Sequence, residues 1–180
     1  MEKLDALVTQ ARLYEYLVML PEPWTVERVD VNAEGRRVDI WMGHRSGVIW
    51  PCPGCDRTGH CRDHAPERLW RHLDCCNFEV YLHARIPRLA CPEHGVRQAL
   101  IPWADPDSRF TRLFERFALE LLDTCTVTGT AALLSLTWDE AHGIQHRAAK
   151  RHAERGGGGS CKRRLGARKV ECLQKVECLQ

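Results

Sequence analysis

Two short turns hold the residues best suited to chemistry. Pro51-Cys52-Pro53-Gly54-Cys55 and Ala90-Cys91-Pro92-Glu93-His94-Gly95 each set two metal-ligating side chains two residues apart, in a bend that proline and glycine favour. Such a gap lets a tight knuckle aim both ligands at one ion while backbone N–H groups hydrogen-bond to the thiolates. Cys52, Cys55, Cys91 and His94 make a three-thiolate, one-imidazole set that suits tetrahedral Zn²⁺ with no open position. A closed set organises a fold and leaves no place for an activated water. One structural zinc ion in a zinc ribbon is therefore expected.

A competing set joins Cys52 and Cys55 to Cys61 and His64, which also have a two-residue gap. It is the weaker reading, because neither Cys61 nor His64 sits in a Pro/Gly knuckle and the two pairs are close in sequence. Reading all these thiols as buried hydrophobes would make the flanking Pro and Gly coincidental. A redox Cys52-x-x-Cys55 would need a βαβ context and a helix after the motif. Cys75, Cys76 and Cys125 read as packing or turn residues.

The elements that must hold these turns follow from hydrophobic period. Leu4, Leu7, Val8, Ala11, Tyr14, Leu17 and Val18 have helical spacing, which stops before Pro21-Glu22-Pro23. From Trp24 the period becomes two: Val26, Val29 and Val31, a turn at Asn32-Ala33-Glu34-Gly35, then Val38, Ile40 and Met42 predict a β-hairpin. A second β region runs from Leu69 to Leu73, turns at Cys75-Cys76-Asn77, and continues with Phe78, Val80, Leu82, Ala84 and Ile86 until Pro87 closes it.

Helical period returns after Ser108, a predicted N-cap, with an apolar stripe of Phe110, Leu113, Phe114, Phe117, Ala118, Leu121 and Leu122 ending near Cys125. A short helix over Thr128–Leu134, a Ser135-Leu136 turn and a third helix over Trp138–Arg151 follow. Thr137 and Glu140 form a capping box. Helix, short helix, turn and basic helix outline a helix-turn-helix, whose last helix would enter the major groove. Trp138, Ala141, Ile144 and Ala148 would pack inward, leaving His142, Gln145, His146, Arg147, Lys150 and Arg151 as candidate DNA contacts. The bland alternative is a three-helix packing unit with a solvated basic face.

At 180 residues and 20.7 kDa the chain has room for one ordinary domain or two small ones. With 44% hydrophobic and 28% charged residues, it is neither disorder-like nor membrane-like. No apolar run approaches a spanning length and the acidic start is unlike a signal peptide, so a cytoplasmic protein is expected. Ten cysteines then favour metal over disulfides. The net charge of +2 is uneven: residues 150–180 carry 9 Lys and Arg against 3 acidic residues. A basic end can serve as a nucleic-acid arm or merely be solvated.

Several blocks together resemble a known family. Leu20-Pro21-Glu22-Pro23-Trp24-Thr25-Val26, Cys52-Pro53-x-Cys55, Trp70-Arg71-His72-Leu73-Asp74, Ile86-Pro87-Arg88-Leu89-Ala90-Cys91-Pro92-Glu93-His94-Gly95-Val96, Pro102-Trp103-Ala104 and Ser108-Arg109-Phe110-Thr111-x-x-Phe114-Glu115 look like the N-terminal part of a bacterial insertion-sequence transposase of the ISL-three family. The resemblance covers roughly residues 12–155. It implies a zinc ribbon at Cys52, Cys55, Cys91 and His94 and a helix-turn-helix at about 109–153, used together on double-stranded DNA at the element's terminal inverted repeats. In the family an RNase H-like catalytic domain follows. This chain is expected to stop before it and not to be an enzyme, with a full-length transposase as a second candidate partner.

The expected organisation is α+β. An N-terminal helix and linker (1–23), a β-rich zinc-ribbon domain (24–103), an all-α helix-turn-helix domain (104–155) and a flexible, disordered basic tail (156–180) follow in order. The tail holds a glycine run, Cys161 and a Lys-Val-Glu-Cys-Leu-Gln hexapeptide repeated at 169–174 and 175–180, which carries Cys172 and Cys178; no metal is assigned to it. An alternative function is a stand-alone zinc-ribbon regulator or interaction module binding protein or single-stranded nucleic acid, with Trp41, Trp50 and Trp70 as possible exposed surfaces, although tryptophans at such positions are more often core. Catalysis is the weakest reading. Asp105-Pro106-Asp107 lies in a loop, Asp139-Glu140 is an acidic first turn, and His72 and His83 read as structural.

Overall fold

The computed structural model describes residues 11–154. Leu4, Leu7 and Val8 of the expected first helix lie outside the described residues, as do the glycine run, the tail cysteines and the hexapeptide repeat. Over the described residues the architecture is α+β, in two compact units that divide between Phe114 and Glu115. No helix among the described residues is long and apolar enough to cross a membrane.

The first unit opens with helix α1 (residues 11–17) and continues through eight strands: β1 (Trp24–Asn32), β2 (Arg37–His44), β3 (Ile49–Pro51), β4 (Thr58–His64), β5 (Arg68–Cys75), β6 (Phe78–Ala84), β7 (Pro87–Cys91) and β8 (Gly95–Gln98). They form two four-stranded sheets, ordered β1-β2-β6-β5 and β3-β4-β7-β8. Alternation explains the first sheet. Val38, Ile40 and Met42 of β2 and Val80, Leu82 and Ala84 of β6 are buried on one face, and the two strands pair in parallel register. In the β1–β2 connection, the Gly35 N–H donates to Asn32 Oδ1 at 2.8 Å. Cys76 (φ 50°) and Asn77 (φ 66°) make the tight β5–β6 turn, with both central residues left-handed as such a hairpin requires.

One expectation about this unit changes. Pro87 starts β7, a first-residue position where its missing N–H is tolerated, and does not close the preceding β region. Trp50 and Trp70 are buried, in keeping with the core reading of these tryptophans. With Trp24 and Trp103 they form an aromatic cluster, its ring centroids 5.2 Å (Trp24–Trp50), 4.7 Å (Trp24–Trp103) and 5.7 Å (Trp70–Trp103) apart. Trp41 is half-buried against the His83 ring and the Arg28 guanidinium.

The Trp70-Arg71-His72-Leu73-Asp74 block is a packing device. Trp70 is fully buried, and the buried Arg71 guanidinium lies 2.7 Å from Asp74 and 3.3 Å from Glu79, in ion pairs whose angles fall short of hydrogen bonds. His72 is buried, its Nδ1 lying 2.9 Å from Thr111 Oγ1. Burial, reinforced by the Arg71 charge, pushes its pKa down to about 4. Between there and the ordinary value of about 6.5, the unfolded chain binds a proton that the folded chain refuses. The stability due to neutral His72 is thus full above that value and lost as pH falls, by about 3 kcal/mol in all. Denaturation midpoints of the zinc-loaded chain from neutral pH to pH 5 should fall more steeply than those of His72→Gln. Equal slopes would show that His72 is not the group.

Three helices follow: α2 (Arg112–Leu122), α3 (Val127–Leu133) and α4 (Trp138–Glu154). Thr111, not Ser108, caps α2, its Oγ1 accepting from the Phe114 N–H at 3.3 Å. Ser108 is buried in the preceding turn, where its Oγ accepts from the Phe110 N–H. Phe114 and Ala118 form the buried stripe, whereas Phe117 is 41% exposed. Thr126 caps α3 by accepting from the Gly129 N–H. Ser135 takes φ 53° in the α3–α4 turn. The expected capping box is present: the Glu140 N–H donates to Thr137 Oγ1 at 3.3 Å and the Thr137 N–H donates to Glu140 Oε2 at 3.0 Å.

Candidate metal centre and nucleic-acid interface

The two knuckles meet through the β3-β4-β7-β8 sheet. β3 delivers Cys52 and Cys55 from the turn that follows it, β7 ends on Cys91, and His94 lies in the β7–β8 turn. Gly95 leaves that turn at φ 67°, and a side chain on Gly54 would crowd the His94 ring at 3.1 Å. The ligand atoms of Cys52, Cys55, Cys91 and His94 all lie within 4.8 Å of one another, with Cys52 and Cys91 buried and the other two half-buried.

Three edges of this tetrahedron are Cys55 Sγ–Cys91 Sγ at 3.6 Å, Cys91 Sγ–His94 Nδ1 at 3.6 Å and Cys52 Sγ–His94 Nδ1 at 3.8 Å. Ideal zinc bond lengths at a tetrahedral angle give about 3.8 Å for an S–S edge and about 3.6 Å for S–N. The Gly54 N–H points at Cys52 Sγ from 3.5 Å, as a knuckle amide should. The cluster suits one structural zinc.

Its electrostatics point the same way. His94, through its side chain and then its backbone N–H, lowers the Cys91 thiol to about 6. Although Arg57 offers Cys55 a backbone hydrogen bond, burial and the neighbouring Cys91 and Cys52 raise that thiol to about 11. Crowded thiolates repel, and a divalent cation between them is what allows all three to ionise together.

Cys61 and His64, the rival partners for Cys52 and Cys55, lie elsewhere and group with His44. Neither of the groups of described residues able to hold a metal contains a carboxylate. His83 is held between Asp39 (2.6 Å) and Glu67 (2.9 Å) and serves the sheet, consistent with a structural role.

On α4, Ala141 and Ile144 are fully buried, while His142, Gln145, His146 and Lys150 are exposed. Trp138 departs from its expected inward position: it is 51% exposed, with its ring stacked on His142 at 4.7 Å. Arg147 and Arg151 are engaged within the unit. Arg147 donates to Glu115 Oε1 from Nε (3.0 Å) and Nη2 (2.7 Å), and Arg151 Nη2 donates to Oε2 at 3.1 Å. Glu115 is itself buried, and each arginine side chain is about a third exposed. The sequence signal for this clamp was an acidic residue set in the apolar stripe of α2 and two arginines four apart on α4.

A metal-organised β unit followed by a helix-turn-helix defines a zinc-finger and helix-turn-helix protein. The comparisons narrow that class. Residues 49–94 match the zinc-finger of transposase IS204/IS1001/IS1096/IS1165, and residues 100–149 match the helix-turn-helix domain of transposase family ISL3. Transposases for insertion sequence element IS1557 from two strains of Mycobacterium tuberculosis are 30% identical over 132 residues, which is 71% of this chain and 30% of theirs. Residues 49–149 are thus similar to the N-terminal region of an ISL3-type transposase. The chain spans about 30% of the length of the curated relatives it matches. No solved structure matches it.

Proposed function

We propose that this chain binds the terminal inverted repeats of an insertion sequence, with α4 as the helix that enters the major groove and Cys52, Cys55, Cys91 and His94 as ligands of the zinc that braces the β unit. The observation that carries the reading is the capped turn into α4. It buries Ala141 and Ile144 and leaves His142, Gln145, His146 and Lys150 exposed together. Gln145 can bond an adenine edge bidentately, and Lys150 supplies phosphate contact. Arg147 and Arg151, held by Glu115, position α4 and add to its positive charge. The burial of Trp50 and Trp70 argues against a single-strand stacking platform. A full-length transposase sharing the same ends is the protein partner this reading implies.

Fluorescence anisotropy on labelled duplexes tests the assignment. Gln145→Ala should weaken binding to end DNA by about 1–3 kcal/mol, roughly 5- to 150-fold, and leave random duplex unaffected. Lys150→Ala should weaken both alike and reduce the salt dependence. Equal losses on both duplexes for Gln145→Ala would remove it from base reading.

A further inference from the structure

Within the first unit, His44, Cys61 and His64 bring their ligand atoms within 4.8 Å of one another. His44 ends β2 in one sheet, while Cys61 and His64 lie on β4 in the other. Side chains three apart on a regular strand face opposite ways. The β4–β7 register shifts between Cys61 and Asp63, and this bulge turns Cys61 and His64 to the same side.

The two imidazoles face each other through Nε2 atoms 2.9 Å apart, and Cys61 Sγ lies 3.8 Å from His64 Nε2. Around one zinc ion these edges would be about 3.3 Å and about 3.6 Å, so shifts of a few tenths of an ångström suffice. His44 Nδ1 is 2.9 Å from the Arg45 carbonyl oxygen, to which it can only donate. In the neutral ring that leaves Nε2 with a bare lone pair directed at the cluster, the arrangement that orients a metal-ligating histidine. The Cys61 thiol donates to the Asp63 carbonyl at 3.2 Å. On binding it releases that proton to solvent and the sulfur turns to the ion.

We propose that His44, Cys61 and His64 form a second transition-metal site, separate from the Cys52/Cys55/Cys91/His94 cluster, that staples the two sheets of the first unit through a three-coordinate protein set with one position left to solvent. One thiolate and two imidazoles select a borderline or soft ion such as Zn²⁺ or Co²⁺ over Mg²⁺ or Ca²⁺. With one ligand fewer and more exposure, this site binds more weakly than the closed cluster and fills after it.

The test is zinc titration of the full-length chain, with bound metal measured after gel filtration and the thermal midpoint followed at each equivalent. Two zinc ions per chain are expected, the second raising the midpoint further. His44→Ala should bind one ion and lose the second rise. Cys61→Ser should do the same, and with Co²⁺ should leave only the absorption of the three-thiolate site. One ion in the wild-type chain at saturating zinc, or two in both variants, would overturn the proposal. The ion retained by both variants reports that the first cluster and the fold are intact, so failure of this site is distinguishable from failure of the other.

Discussion

Stripping zinc from the chain should unfold the β region over residues 24–103 and leave the signal of the later helices largely in place. The β3-β4-β7-β8 sheet is too poor in core to stand alone. β3 buries only Trp50, and β8 buries nothing. The buried thiols Cys52 and Cys91 supply much of what remains, and they are close enough to repel once ionised. A structural zinc contributes on the order of 10 kcal/mol of apparent binding free energy, which offsets that deficit. Circular dichroism with excess chelator should show loss of β signal and of the tryptophan near-ultraviolet bands from the Trp24–Trp50–Trp103 cluster. Cys91→Ser should reproduce the effect without chelator. An unchanged spectrum after confirmed metal removal would show that the sheet holds itself.

Removing the carboxylate of Glu115 should be the most damaging single change in the helical unit. Glu115 accepts hydrogen bonds from both Arg147 and Arg151 while itself buried, so Glu115→Ala leaves two guanidinium groups facing a site built for an anion. Removal of one partner of a fully buried pair costs about 3–5 kcal/mol. Because the arginines are about a third exposed, solvent recovers part of this and about 2–3 kcal/mol is expected here. Glu115→Gln, which keeps an acceptor but not the charge, should fall between wild type and Glu115→Ala. Urea denaturation of the zinc-loaded chain, followed by helical circular dichroism, reads the difference. Midpoints within error for all three proteins would mean that the clamp contributes nothing. The same variant should weaken DNA binding, because α4 would lose its anchor.

What could be read from sequence follows from how local each signal is. The knuckles, the two hairpins and the Thr137–Glu140 box are set by residues a few positions apart, and all stand where spacing put them. β3, β4 and β8 were not legible. They are short or polar, and β4 alternates half-buried with exposed residues, so its membership in a sheet depends on pairing with β3 and β7 rather than on its own composition. The helical stripe placed Ala141 and Ile144 correctly but not Trp138, whose place in the first turn of α4 lets it stack on His142 at the surface. Ser108 looked like a cap because serine commonly is one, and Thr111, three residues on, holds the geometry instead. Arg147 and Arg151 read as DNA contacts because the partner that engages them, Glu115, is more than thirty residues away. His44 gave no signal beside Cys61 and His64 for the same reason: only folding of the two sheets brings it there.

The most direct measurement is competition between two duplexes for the zinc-loaded chain, one carrying the terminal inverted repeats proposed as its target and one with the same bases scrambled. Both affinities should fall steeply between about 50 and 200 mM salt, as phosphate contacts release counterions. The end duplex should stay tighter throughout, by roughly 10³-fold or more, because base contacts from α4 are far less sensitive to salt. Equal affinity for the two duplexes at every salt concentration would contradict end recognition by this region and leave it a charge-driven binder.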